Sequence, residues 1–152
     1  MSEYLLQMNH ITKIFPGTKA LDDVSFNLKK GEIHAIVGEN GSGKTTIMRL
    51  LMGLARPNEG RYSLFDIDCK DSKIYKVRNN ISAIIEAPSL VPSMTAKENL
   101  LYACLYYGVK DTSIIDKVLE EVDLKDTGNK KVKNFSLGMR QRLGIGVLLL
   151  NN

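Results

Sequence analysis

The chain has 152 residues, 43% apolar and 25% charged, the proportions of a soluble globular domain with room for one sizeable core. Lys and Arg number 21 against 17 Asp and Glu, and the resulting +4 is too mild to imply nucleic acid by itself. The longest apolar run, glycine included, is Leu143 to Leu150, far short of the roughly 20 residues a membrane-spanning helix needs. Met1-Ser2-Glu3-Tyr4 opens without the basic and apolar regions of a secretory signal. Cys69 and Cys104 form no CxxC and have no His near them in sequence, which excludes a disulfide framework or a zinc site as the organising idea. A cytosolic mixed α/β domain is what remains.

In chain order, Tyr4 to Ile11 reads as a strand and Phe15-Pro16-Gly17-Thr18 as a break. Val24 to Leu28 alternates apolar and polar residues, as a half-buried strand does. After a turn at Lys29 to Glu32, the apolar run Ile33 to Val37 predicts a fully buried strand. A Gly-rich loop follows, Gly38 to Gly43, and then a helix over Lys44 to Met52 with Ile47, Leu50, Leu51 and Leu54 on one side. Arg61 to Phe65 returns as a strand, and Ile81 to Ile85 is another buried one. From Val91 the period becomes helical. Thr95-Ala96-Lys97-Glu98 has the form of a capping box opening a helix through about Tyr107, stopped by Gly108. Tyr102, Tyr106 and Tyr107 on this helix are expected to pack. Ile114, Ile115, Val118, Leu119 and Val122 make the apolar stripe of a second helix. A basic loop, Lys130 to Asn134, leads to a last helix reaching Leu150. The expected architecture is α/β: a P-loop nucleotide core over about residues 1–87, β-rich at its start, then a helical subdomain over about 88–152.

Gly38-Glu39-Asn40-Gly41-Ser42-Gly43-Lys44-Thr45 fits GxxxxGK[ST] between a predicted strand and a predicted helix. Glycines let backbone N–H groups wrap an anion without Cβ interference, and the helix N-terminus behind them adds positive potential. Lys44 is placed to reach the β- and γ-phosphates, the Thr45 hydroxyl to ligate Mg²⁺, and Thr46 to reach the α-phosphate. The nearest string to the guanine-reading NKxD motif is Asn129-Lys130-Lys131-Val132, where Val stands for the required Asp, so GTP is disfavoured. His10 and His34 lie in no ligand pattern. The basic run Lys130 to Lys133 has no interleaved aromatics and reads as a solvated loop, so no nucleic-acid partner is expected.

Phe135-Ser136-Leu137-Gly138-Met139-Arg140-Gln141-Arg142-Leu143 resembles a degenerate LSGGQ signature of ABC-type ATPases. Ser136 and Gly138 match the signature. Leu137 and Met139 depart from its second Gly and final Gln. The opening from Lys19 through Gly31-Glu32-Ile33 to the P-loop is similar to the usual start of such a subunit. The resemblance implies a head-to-tail pairing with a second ATP-binding subunit, in which Ser136, the Gly138 amide and the following helix N-terminus hold the partner's γ-phosphate. It also implies that Phe15 stacks on adenine, which needs only a π-face. Most ABC ATPases carry Gln where this chain has Glu86-Ala87-Pro88. Glu at that place, with the variant at 136–139, is similar to the subgroup that protects bacteria from bacitracin or lantibiotic-like peptides. A carboxylate there is suited to ligating Mg²⁺ or orienting water.

The resemblance thus implies ATP and Mg²⁺ as cofactors and a transmembrane permease subunit as partner, docking near Ser89 to Ser93. It places the subunit in the cytoplasm at the inner face of the membrane. Lys44, Glu86, Ser136 and Gly138 are the implied catalytic set. Solute import and a non-transport ATPase or binding module are the alternatives. The family's Walker B strand and catalytic Glu have no counterpart before Asn152, so the expectation is a fragment, incomplete at its C-terminus, that hydrolyses ATP negligibly and exposes an apolar edge beside Ile33 to Val37.

Overall fold

The computed structural model describes residues 3–150. The chain is a mixed α/β structure that forms two compact units, Met1–Ala83 and Ile84–Asn152.

The first unit is built on a four-stranded antiparallel sheet in the order β2-β1-β3-β4, with β1 at Tyr4–Phe15, β2 at Thr18–Lys29, β3 at Glu59–Leu64 and β4 at Ile67–Asp68. The hairpin of β1 and β2 turns through Pro16-Gly17, closing on the Phe15–Thr18 pair, so both strands run longer than their apolar alternation suggested. The register of β1 against β2 shifts near its middle, where His10 and Asp23 take left-handed backbone and His10 Nδ1 lies 2.7 Å from Asp23 Oδ1. Helices α1 (Lys44–Leu51) and α2 (Ile74–Arg78) complete this unit. Ile47 and Leu50 of α1 and Ile74 of α2 are buried with Leu6, Met8, Ile11, Leu21, Tyr62 and Leu64 of the sheet.

Two predicted strands are absent from this sheet. Residues 33–37 are irregular, with Ile33 98% and Val37 92% exposed. Residues 81–85 are likewise irregular and half-buried. Both runs have the composition of strands covered on both faces, but such a strand exists only where neighbours accept from its N–H groups and donate to its C=O groups. Among the described residues no strand pairs with either run. Leu54, assigned to the apolar side of the P-loop helix, lies beyond α1 and is exposed.

The second unit holds α3 (Ala96–Tyr107), α4 (Ile114–Glu121) and α5 (Leu137–Leu149), with short 3₁₀ turns at Lys125–Thr127 and Val132–Asn134. Leu100, Cys104, Ile115, Val118, Leu119, Leu124, Val132, Phe135 and Leu143 form its core. The capping box at the start of α3 is complete: Glu98 N–H donates to Thr95 Oγ1 at 3.1 Å and Thr95 N–H to Glu98 Oε2 at 2.6 Å. The Thr95 backbone amide, then the Lys131 ammonium at 3.0 Å and the Thr95 side chain, hold the Glu98 carboxyl below its ordinary range. Packing by the tyrosines into the core is not what the structure shows: Tyr107 is exposed at the end of α3, its ring edge-on to that of Tyr106. Tyr102 and Tyr106 are exposed, because α3 buries the opposite side through Ala96, Asn99, Leu100, Ala103 and Cys104.

Candidate functional site

The Gly-rich loop closes on its own lysine. Lys44 Nζ donates to the carbonyls of Gly38 at 2.8 Å and Glu39 at 2.6 Å, and lies 3.3 Å from Ser42 Oγ. The ammonium is therefore fixed at the loop's concavity rather than extended into solvent. Gly38 permits this closure, since a Cβ there would stand 2.6 Å from Ser42 Oγ. Gly43 is required twice over: its φ is +90°, and a Cβ would lie 2.4 Å from the Ala20 carbonyl oxygen of β2. Gly41, at φ +87°, uses the same left-handed region with open space around it.

Helix α1 starts at Lys44 with Gly43 as N-cap, so no side chain caps its first turn, and that turn carries no acidic residue. The first amides of a helix have no intrahelical acceptor and attract anions. Thr45 is exposed in this turn, while Thr46 is buried. Glu39 and Asn40 are exposed on the loop.

The other end of α1 is closed completely. Gly53, at φ +76°, ends it in a Schellman motif, with Leu54 N–H on the Arg49 carbonyl at 2.8 Å and Gly53 N–H on that of Leu50 at 3.0 Å. Met52 N–H takes the Met48 carbonyl at 3.0 Å. Two side chains finish the work: Tyr62 Oη donates to the Leu50 carbonyl at 2.7 Å, and Arg78 Nε to that of Leu51 at 3.0 Å. Arg78 Nη2 also donates to Tyr62 Oη at 2.6 Å. Burial raises the Tyr62 phenol above its ordinary pKa, with the Arg78 charge opposing, so the hydroxyl stays protonated.

Phe15 is half-buried at the hairpin end of β1, and Lys13 Nζ sits 4.9 Å from its ring centroid. The same sheet places Ala20 of β2 against Gly43, so the loop and the Phe15–Thr18 hairpin end are two or three strand residues apart, about 7–10 Å at the usual rise.

The remaining candidates lie in the second unit. Glu86 is exposed, with a positive φ of 69°, a conformation uncommon for a residue with a side chain. Ser136 is the N-cap of α5, its Oγ accepting from Met139 N–H at 3.2 Å. Gly138 is exposed, and a Cβ there would touch nothing. Lys130 Nζ lies 5.8 Å from the Phe135 ring centroid and 4.0 Å from Met139 Sδ. Among the described residues no group of three or more His, Cys, Asp or Glu side chains could hold a metal ion.

The family model described as ABC transporter matches residues 21–152, which include the Gly-rich loop and the segment at Ser136. The chain belongs to the ABC transporter family. Among curated ABC relatives, the uncharacterized ABC transporter ATP-binding protein YcbN of Bacillus subtilis (strain 168) is 42% identical over 97% of this chain and 48% of its own length. The bacitracin transport ATP-binding protein BcrA of Bacillus licheniformis is 37% identical over 97% of this chain and 48% of its own. The chain spans about half the length of these relatives. Among solved ABC structures, that of cbiO1 from Clostridium perfringens, part of the ABC transporter complex cbiONQ, superposes with a TM-score of 0.82. It covers 99% of this chain and 62% of that one at 24% identity, a likeness of fold.

Lys13, Tyr62 and Arg78 also border the loop, the hairpin end or α1 and belong to no motif of the sequence. Lys13 had a signal, since alternation puts residues 13 and 15 on one face of a strand. Tyr62 and Arg78 had none, because their partners are carbonyls of α1 that sequence does not place.

Proposed function

We propose that this chain is the nucleotide-gripping portion of an ABC ATP-binding subunit, and that the complete subunit couples ATP binding and hydrolysis to export of a peptide antibiotic or similar amphiphile. The observation that carries the reading is the Lys44 ammonium held on the concavity of the Gly-rich loop by the Gly38 and Glu39 carbonyls, in front of an N-terminus of α1 that no side chain caps. The loop amides around Gly38, Glu39, Asn40, Gly41, Ser42 and Gly43, with Lys44, Thr45 and Thr46, cradle the polyphosphate. Phe15 takes the adenine ring.

The residues fit ATP, since the loop supplies donors and a fixed cation where an anion belongs. For Mg²⁺ the exposed Thr45 hydroxyl is a suitable hard oxygen donor, and the Glu86 carboxylate is proposed as a further one. When bound, Mg²⁺ neutralises phosphate charge. Ser136 and Gly138 are proposed to face the γ-phosphate of a second subunit's ATP: the Ser136 hydroxyl caps α5, and the bare Gly138 leaves room for an anion. Residues 1–87 and 88–152 serve as nucleotide core and signature subdomain. The partner is a transmembrane permease met near Ser89 to Ser93, which locates the subunit at the cytoplasmic face of the membrane. Among the described residues no helix is long and apolar enough to cross one.

The export assignment is supported by Glu86, by the sequence at 136–139 and by the bacitracin transport relative. Isothermal titration with ATP, ADP and GTP tests the reading. ATP and ADP bind, GTP binds more weakly, and Lys44→Ala abolishes binding. Equal heats for the parent and Lys44→Ala would refute it.

A further inference from the structure

Helix α1 has eight residues, about 12 Å, and so short a helix is not stable on its own. Its two ends are treated differently. At the N-terminus Gly43 offers no cap, and the amides of Lys44 to Thr46 are left to face the loop. At the C-terminus every carbonyl from Met48 to Leu51 has a partner, and two of those partners are side chains from distant parts of the unit. Tyr62 comes from the middle of β3 and is 2% exposed; Arg78 comes from the end of α2. They also bind each other, so α1, β3 and α2 are tied at one point. The guanidinium lies directly over Gly53, where a Cβ would stand 2.5 Å from Arg78 Nη1. Glycine there serves the left-handed cap and the close approach of the arginine together.

We propose that Tyr62 and Arg78 are positioning residues for the phosphate loop: by clamping the C-terminus of α1 they fix where the Lys44–Thr46 amides and the Lys44 ammonium point. The proposal rests on the nucleotide-binding reading of the loop. The packed face of α1, Ile47 and Leu50, resists sliding of the helix but fixes its axis only loosely across two turns. The clamp supplies the second point of attachment. Arg78 does this through a fork, Nε to one acceptor and Nη2 to another, a geometry that a lysine ammonium on a flexible stem does not reproduce.

The test compares Tyr62→Phe, Arg78→Lys and Arg78→Met with Ile74→Val, which loosens the same core but removes neither clamp side chain. All are assayed as the full chain in the cold, well below each variant's Tm. Two readouts are taken: affinity for Mg·ATP and for inorganic tripolyphosphate, and the amide chemical shifts of Gly43 to Thr46 in ligand-free protein. Both affinities fall together by about 5- to 30-fold in Arg78→Met and Arg78→Lys, and less in Tyr62→Phe. The loop amides shift in all three. Ile74→Val loses Tm but keeps its affinity and its loop shifts. Should Arg78→Met fail to fold, Tyr62→Phe, which removes one oxygen, decides the matter. Clamp variants that match Ile74→Val in both readouts would overturn the proposal. If the parent binds neither ligand, the nucleotide reading falls, and the loop shifts alone then decide whether the clamp positions this segment.

Discussion

Replacing Gly43 by Ala tests whether the loop conformation is set by contact with β2, and Gly41→Ala supplies the matched control. Both glycines have left-handed backbone, at φ +90° and +87°. An alanine in that region costs about 1 kcal/mol at either position. At Gly41 nothing else is added, because a Cβ there meets no atom within 4 Å. At Gly43 the new Cβ would stand 2.4 Å from the Ala20 carbonyl oxygen and 2.6 Å from Leu21 Cδ2, so the loop must move away from β2 by about 0.6 Å. Overpacking of this kind adds about 1–3 kcal/mol, so Gly43→Ala costs about 2–4 kcal/mol in all. The same movement lengthens the 2.6 Å and 2.8 Å bonds of the Lys44 ammonium. Urea titration followed by the amide signals of Leu50 and Leu64 reads the stability of this unit, and calorimetry reads its ATP affinity. Gly43→Ala should be the less stable by about 1–3 kcal/mol and should bind ATP more weakly than Gly41→Ala. Equal stability of the two variants would show that the contact with β2 does not shape the loop.

Phe15→Ala removes the proposed base platform, lowering ATP affinity by about 1–3 kcal/mol while leaving tripolyphosphate affinity unchanged; parallel losses for both ligands would remove Phe15 from the adenine site. Glu98 gives a pH signature. Its folded pKa lies below the ordinary 4.5, so its contribution is present above the unfolded value and is lost as pH falls through the folded one. Glu98→Gln should therefore flatten the fall in Tm as pH drops below the ordinary carboxylate range, and an unchanged slope would contradict the capping geometry.

Much of the structure is local and was legible. Pro16-Gly17 marks the hairpin, Thr95 and Glu98 spell out the capping box, and Ser136 caps α5 as its place before an apolar helix suggests. The left-handed glycines of the loop follow from the motif itself. What could not be read depends on pairing at a distance. The run at 33–37 looks like a buried strand because its residues are apolar, yet a parallel strand acquires its partners through long crossovers, and the described residues provide none. The exposure of Tyr102, Tyr106 and Tyr107 was hidden by a helix that is apolar nearly all round, so no periodicity marked its outer face. Tyr62 and Arg78 lie 12 and 27 residues from the carbonyls they hold, and composition carries no trace of that arrangement.

Whether the loop ahead of Lys44 grips the polyphosphate of ATP is read from the amide shifts of the ¹⁵N-labelled chain during titration with Mg·ATP and then with tripolyphosphate. The largest, saturable shifts are expected at Gly41, Gly43, Lys44, Thr45 and Thr46 with either ligand. Saturable shifts elsewhere with these amides unmoved, or none at millimolar ATP, would contradict it.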